Sequence, residues 1–141
     1  MVEAQAVWHD GERFVVRASS GHALVVDSDR ISNSAAGPME LVLIALCACT
    51  ATDVVSILRK KREPFTSLIV RAEGERAKEP PAVYEHIKLI YTVGGNVRKK
   101  AVEDAVRLSK EKYCSVSAML QKTAKIGFEI EYLGGMGVQE V

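Results

Sequence analysis

The chain has 141 residues, 48% of them hydrophobic and 26% charged, with a net charge of +1. That length is one domain by the usual prior, with enough apolar sequence for a modest core. The near balance of 19 basic and 18 acidic residues argues against a nucleic-acid partner, and three cysteines are too few for a secreted disulfide scaffold; the odd count fits a reducing, cytoplasmic compartment.

Met1 to Trp8 has neither the basic start nor the apolar stretch of a signal peptide. The first 36 residues read as a β meander. Ala4, Ala6 and Trp8 alternate with more polar neighbours, Asp10-Gly11 is a turn, Phe14-Val15-Val16 forms the next strand, and Ala23 to Asp27 the third. A small polar loop, Ser32 to Gly37, leads to Pro38. Proline suits the first position of a helix, and Glu40 places negative charge in its first turn. From Leu41 to Ala51 the helix is apolar on every side, which predicts burial all round. The longest apolar run, Leu41 to Cys49, falls short of the roughly 20 residues that span a membrane, so no membrane association is expected. Arg59-Lys60-Lys61-Arg62 complements the helix C-terminus, and Pro64 stops it.

Two strands follow, near Leu68–Ala72 and Ile87–Val93. Ile87, Leu89, Tyr91 and Val93 share one face of the second. Gly94-Gly95-Asn96 turns into another helix, with Asn96 as its expected N-cap and an apolar stripe of Ala101, Val102, Ala105, Val106 and Leu108. A short helix is expected within Ser115–Lys125, and a last strand at Ile126–Tyr132. The order ββ(β)-α-ββ-α-β is an α+β fold. A single domain is expected over residues 1–133, with a loose C-terminal tail at 134–141.

Two of the cysteines carry chemical promise. Cys49 sits among small residues (Ala45, Ala48, Thr50, Ala51) that allow close approach. A reactive thiol there needs a cation from elsewhere in the fold, because the thiolate is the nucleophile and a mid-helix position gains nothing from the helix N-terminus. Arg13 and Arg17 are the candidates. Cys114 ends a helix and begins a serine-containing loop, a place that suits a resolving thiol. Cys47, two residues before Cys49, faces a different direction on a helix and reads as packing. His9, His22 and His86 show no ligand spacing with the cysteines, so no metal is expected. The basic runs Arg59–Arg62 and Arg98–Lys100 read as solvated helix ends.

Gly37-Pro38-Met39-Glu40-Leu41 leading to Cys49 is similar to the Asn-Pro-Glu-x-Leu…Cys segment of the OsmC/Ohr superfamily, and Cys114-Ser115-Val116-Ser117 resembles its Cys-Pro-x-Ser word. With the element order, the resemblance spans nearly the whole chain and points to the OsmC-like branch. It implies an intertwined homodimer in which two central helices are wrapped by sheets of both chains. It also implies a cysteine-based peroxidase acting on organic hydroperoxides, and conceivably on hydrogen peroxide, without a cofactor. Cys49 would become a sulfenic acid, Cys114 would close a disulfide on it, and a dithiol reductant, a lipoylated protein or a small thiol, would reopen it. Arg13 would activate Cys49. The family's glutamate follows the proline directly; Met39 stands there, and Glu40, the nearest acid, lies about 100° further round the helix. The competing reading keeps the fold and dimer but makes the protein a non-enzymatic redox sensor or small-ligand binder.

Overall fold

A computed structural model describes residues 1–133. The element order is β1 (Ala4–Asp10), β2 (Arg13–Ala18), β3 (Ala23–Asp27), α1 (Pro38–Lys60), β4 (Phe65–Arg76), β5 (Tyr84–Gly95), α2 (Lys99–Leu108), a π-helical turn (Ser109–Tyr113), α3 (Ser115–Leu120) and β6 (Lys125–Tyr132). The chain groups into two compact units, Met1–Val42 and Leu43–Val141, with the boundary inside α1. The tail expected at 134–141 lies outside the described residues.

The first unit is an antiparallel three-stranded meander, β1-β2-β3. Gly11, at φ +50°, makes the left-handed turn between β1 and β2, and its carbonyl accepts the Trp8 indole N–H at 2.9 Å. Period-two alternation places Val7, Val15 and Val25 in one cross-strand row, and all three are exposed.

In the second unit the sheet order is β4-β5-β6. β5 is central, so the face predicted from Ile87, Leu89, Tyr91 and Val93 is buried and Ile90 on the opposite face is buried too. The pairing of β5 with β6 is parallel, and α2 and α3 form the crossover between them. The sequence reading had expected mainly hairpins.

Several local expectations change. α1 buries only one stripe, Leu46, Thr50, Val54 and Leu58, spaced four residues apart. Ile44, Ala45 and Ala48 stand exposed. Burial all round is therefore not reached within the chain, in which α1 buries one face. α1 runs 23 residues and is, by length and composition alone, apolar enough to cross a membrane. The shorter apolar run counted in the sequence missed this, because the polar residues beyond it are too sparse to end the apolar stretch. The N-cap of α2 is Arg98, not Asn96. The Glu63 carboxylate takes both the Arg98 amide (2.9 Å) and its guanidinium Nε–H (2.7 Å), so a side chain 35 residues away supplies the acceptor that Asn96 was expected to give. Leu108, expected inward, is 38% exposed, since α2 hands over to the π turn at that residue. The short helix expected within Ser115–Lys125 is present as Ser115–Leu120.

Gly95 is required where it stands. At φ +107° it is left-handed, and a Cβ there would lie 2.6 Å from the Pro64 carbonyl.

Candidate active site

Cys49 is half-buried on α1, and Cys114 is 3% exposed at the N-cap of α3. The second unit places their side chains near enough that Cys49 bears on the ionisation of Cys114. Three features hold Cys114. Its amide donates to the Ser109 carbonyl at 2.8 Å, across the π turn. Its sulfur accepts the Ser117 amide N–H at 3.3 Å. The Cys114–Leu120 segment is then fixed by the first turn of α3, in which the Ala118 amide bonds the Cys114 carbonyl at 3.0 Å.

Burial, aided by the nearby Cys49, pushes the Cys114 thiol up from 9.0 to about 11, against the opposing pull of the Ser117 amide. Cys114 therefore keeps its proton at neutral pH. The linkage has a definite sign. Between 9.0 and about 11 the unfolded chain has lost this proton and the folded chain still holds it, so the folded state binds more protons and stability falls as pH rises through that window. Urea midpoints measured across it should drop, and the drop should be shallower in Cys114→Ser; an identical slope in both proteins contradicts the assignment.

Beside the sulfurs lies a line of buried hydroxyls. Thr50, next to Cys49, meets the Tyr91 hydroxyl at 2.7 Å and the Ser109 hydroxyl at 2.8 Å. Ser109 in turn donates to the Asp53 carboxylate at 2.8 Å. Burial carries the Tyr91 phenol up to about 12. Thr50→Val removes the hydroxyl at the centre of this line and leaves Tyr91 and Ser109 short of a partner, an expected loss of about 1–3 kcal/mol in denaturant unfolding. A loss under a few tenths would show that the line contributes nothing. The Ser117 hydroxyl is buried and has no hydrogen-bond partner among the described residues.

A cavity of about 410 Å³ is lined by Asp53, Ile57, Lys60, Lys61, Leu108 and Tyr113, and neither Cys49 nor Cys114 is part of its lining. Asp53 lies one turn after Cys49, and Tyr113 immediately precedes Cys114. Cys47 lines a separate apolar groove with Leu43, Ile44, Ala48, Ala51 and Val70, and burial raises its thiol as well. Among the described residues no cluster of His, Cys, Asp and Glu is arranged to hold a metal ion.

The other predicted site residues lie in the first unit. Arg13 grips Asp10 with two bonds, Nε at 2.8 Å and Nη2 at 3.0 Å, donates to the Ser34 hydroxyl at 3.3 Å, and stands 3.9 Å from the Asp27 carboxylate. The Arg13 contact takes the Asp10 carboxyl down to about 2. Asp27 is buried and accepts from the Ser32 hydroxyl, the Ser34 hydroxyl and amide, and the Asp29 amide, which hold its carboxyl far below the usual carboxylate range. Arg17 is exposed on β2. The Glu40 carboxylate accepts the Gly37 amide N–H at 2.9 Å, half of a capping box at the start of α1. Sequence reasoning passed over Asp27, Thr50, Asp53, Tyr91 and Ser109. Their pairings span up to 59 residues, and a lone hydroxyl or carboxylate carries no periodic signal.

The chain belongs to the OsmC-like protein family, whose description fits residues 31–129. It is 40% identical over 131 residues to Protein YhfA of Escherichia coli K12, covering 92% of this chain and 97% of that one. Among solved structures it is similar to a hypothetical protein from Aquifex aeolicus VF5, at 32% identity and a TM-score of 0.81, over 94% of this chain and 98% of the other. It also shares its fold with an organic hydroperoxide resistance protein OsmC from Legionella pneumophila, at 17% identity and a TM-score of 0.70, over 93% and 96% of the two chains.

Proposed function

We propose that this protein is a thiol-dependent peroxidase for organic hydroperoxides. The observation that carries this reading is the proximity of the Cys49 and Cys114 thiols, one half-buried and one buried. The Cys49 thiolate attacks one peroxide oxygen. An S–O bond forms, the O–O bond breaks, and the alkoxide leaves with a proton as the alcohol. Cys114 then attacks the sulfenic sulfur; an S–S bond forms and the hydroxyl departs with the Cys114 proton as water. A dithiol reductant, a lipoylated protein or a small thiol, supplies two electrons and two protons to restore both thiols. No cofactor takes part.

Arg13 is the proposed cation for the thiolate. The family places a glutamate after the proline to hold that arginine; here Asp10 and Asp27 hold Arg13, while Glu40 serves the helix cap and is the weaker of the two proposed residues. The working unit is a cytoplasmic homodimer. Its support is the apolar, uncovered remainder of α1, whose length and apolarity are those of a core helix awaiting a partner.

Titration of free thiols before and after cumene hydroperoxide tests the reading. Two of the three thiols should disappear and return with dithiothreitol. Three unchanged thiols sink the proposal.

A further inference from the structure

We propose that Ser109 is a positioning residue that sets the Cys114 sulfur against Cys49. One fully buried side chain and its own carbonyl do this together. The hydroxyl bonds Thr50 and Asp53, which follow Cys49 within the next turn of α1, at 2.8 Å each. The carbonyl accepts the Cys114 amide at 2.8 Å. Ser109 thus ties the segment that carries one sulfur directly to the helix that carries the other. The local backbone has the same purpose. Ser109–Tyr113 is a π turn, which takes up one residue more than an α turn and so changes the direction in which Cys114 leaves it.

The hydrogen-bond directions are fixed. A carboxylate only accepts, so Ser109 gives its single hydroxyl hydrogen to Asp53. Thr50 must then donate to Ser109, and Tyr91 to Thr50. The line runs one way, from Tyr91 to Asp53. Asp53 acts here as an acceptor, and an amide oxygen can fill that place.

The role concerns closure of the thiol pair, so it gives the proposed peroxidase its second step, but it can be tested without a peroxide. The probe is diamide, a diazene oxidant. It takes two electrons and two protons from the pair and becomes the hydrazine, and the S–S bond forms. Closure is followed by mass spectrometry in the full chain, with circular dichroism and unfolding curves on every variant. Ser109→Ala and Asp53→Ala should close at least about tenfold more slowly than wild type, the cost of losing a fixed near-attack geometry. Asp53→Asn keeps the acceptor and should close at least as fast as wild type within about twofold, since removing a negative charge near Cys114 only eases loss of its proton. If Ser109→Ala does not fold, the two Asp53 variants carry the test. Wild-type rates in Asp53→Ala overturn the proposal. So does an Asp53→Asn as slow as Asp53→Ala, which would make charge the operative feature. If the alanine variants are slow with diamide while wild type ignores cumene hydroperoxide, the positioning role stands and the peroxidase reading falls.

Discussion

Cys49→Ser is expected to reduce hydroperoxide consumption to the uncatalysed level, a loss on the order of a thousandfold or more, as for removal of the nucleophile in a covalent mechanism. A hydroxyl cannot form the S–O bond that stores the oxidising equivalent, and Cys114, which holds its proton up to about 11, cannot replace it as a thiolate at neutral pH. The companion variants divide the cycle. Cys114→Ser should consume about one equivalent of peroxide per chain and stop at the sulfenic acid or beyond. Cys47→Ala should keep turnover, because Cys47 lines a different groove. The assay is consumption of cumene hydroperoxide with a dithiol reductant present. Full activity in Cys49→Ser, or its loss in Cys47→Ala, would place the nucleophile elsewhere.

The second large effect is expected on assembly. Ile44 is 54% exposed on α1 beside exposed Ala45 and Ala48. If a second copy covers this face, Ile44→Asp buries a carboxylate against an apolar surface, at a cost of several kcal/mol. Sedimentation at micromolar concentration should show wild-type dimer and variant monomer, a weakening of about 100-fold or more by the same reasoning. An unchanged dimer would put the interface on another face. A monomeric wild type would leave α1 to be covered by something other than a copy of this chain.

Much of the architecture was readable because it is local. Pro38 opens α1 where its fixed φ and missing N–H predict, and the helix ends at Lys60, just ahead of Arg62 in the left-handed region at φ 58° and Pro64. The alternation in Ile87–Val93 found a real buried face. What failed depends on distant chain. Asn96 lost its cap to a carboxylate at Glu63, and the apolar run Leu41–Ala51, expected to be buried all round, leaves Ile44, Ala45 and Ala48 exposed. The site divided the same way. Two cysteine-containing words pointed to Cys49 and Cys114, and the fold brings Cys49 near enough to bear on the ionisation of Cys114. The buried hydrogen-bonded line of Tyr91, Thr50, Ser109 and Asp53 is made of single polar side chains spread from α1 to the π turn, and only the tertiary structure assembles it. Arg13 was preferred over Arg17 because it follows the Asp10-Gly11-Glu12 turn, and no local pattern signalled that the Asp27 carboxylate, on another strand, would stand beside it.

The central claim is that Cys49 and Cys114 form one redox pair. The most direct measurement treats the reduced protein with a single equivalent of cumene hydroperoxide, blocks the remaining thiols, and maps the linkages by peptide mass spectrometry. The account predicts a Cys49–Cys114 disulfide with Cys47 recovered as the blocked thiol. A disulfide through Cys47, or three blocked thiols with the peroxide left intact, would contradict it.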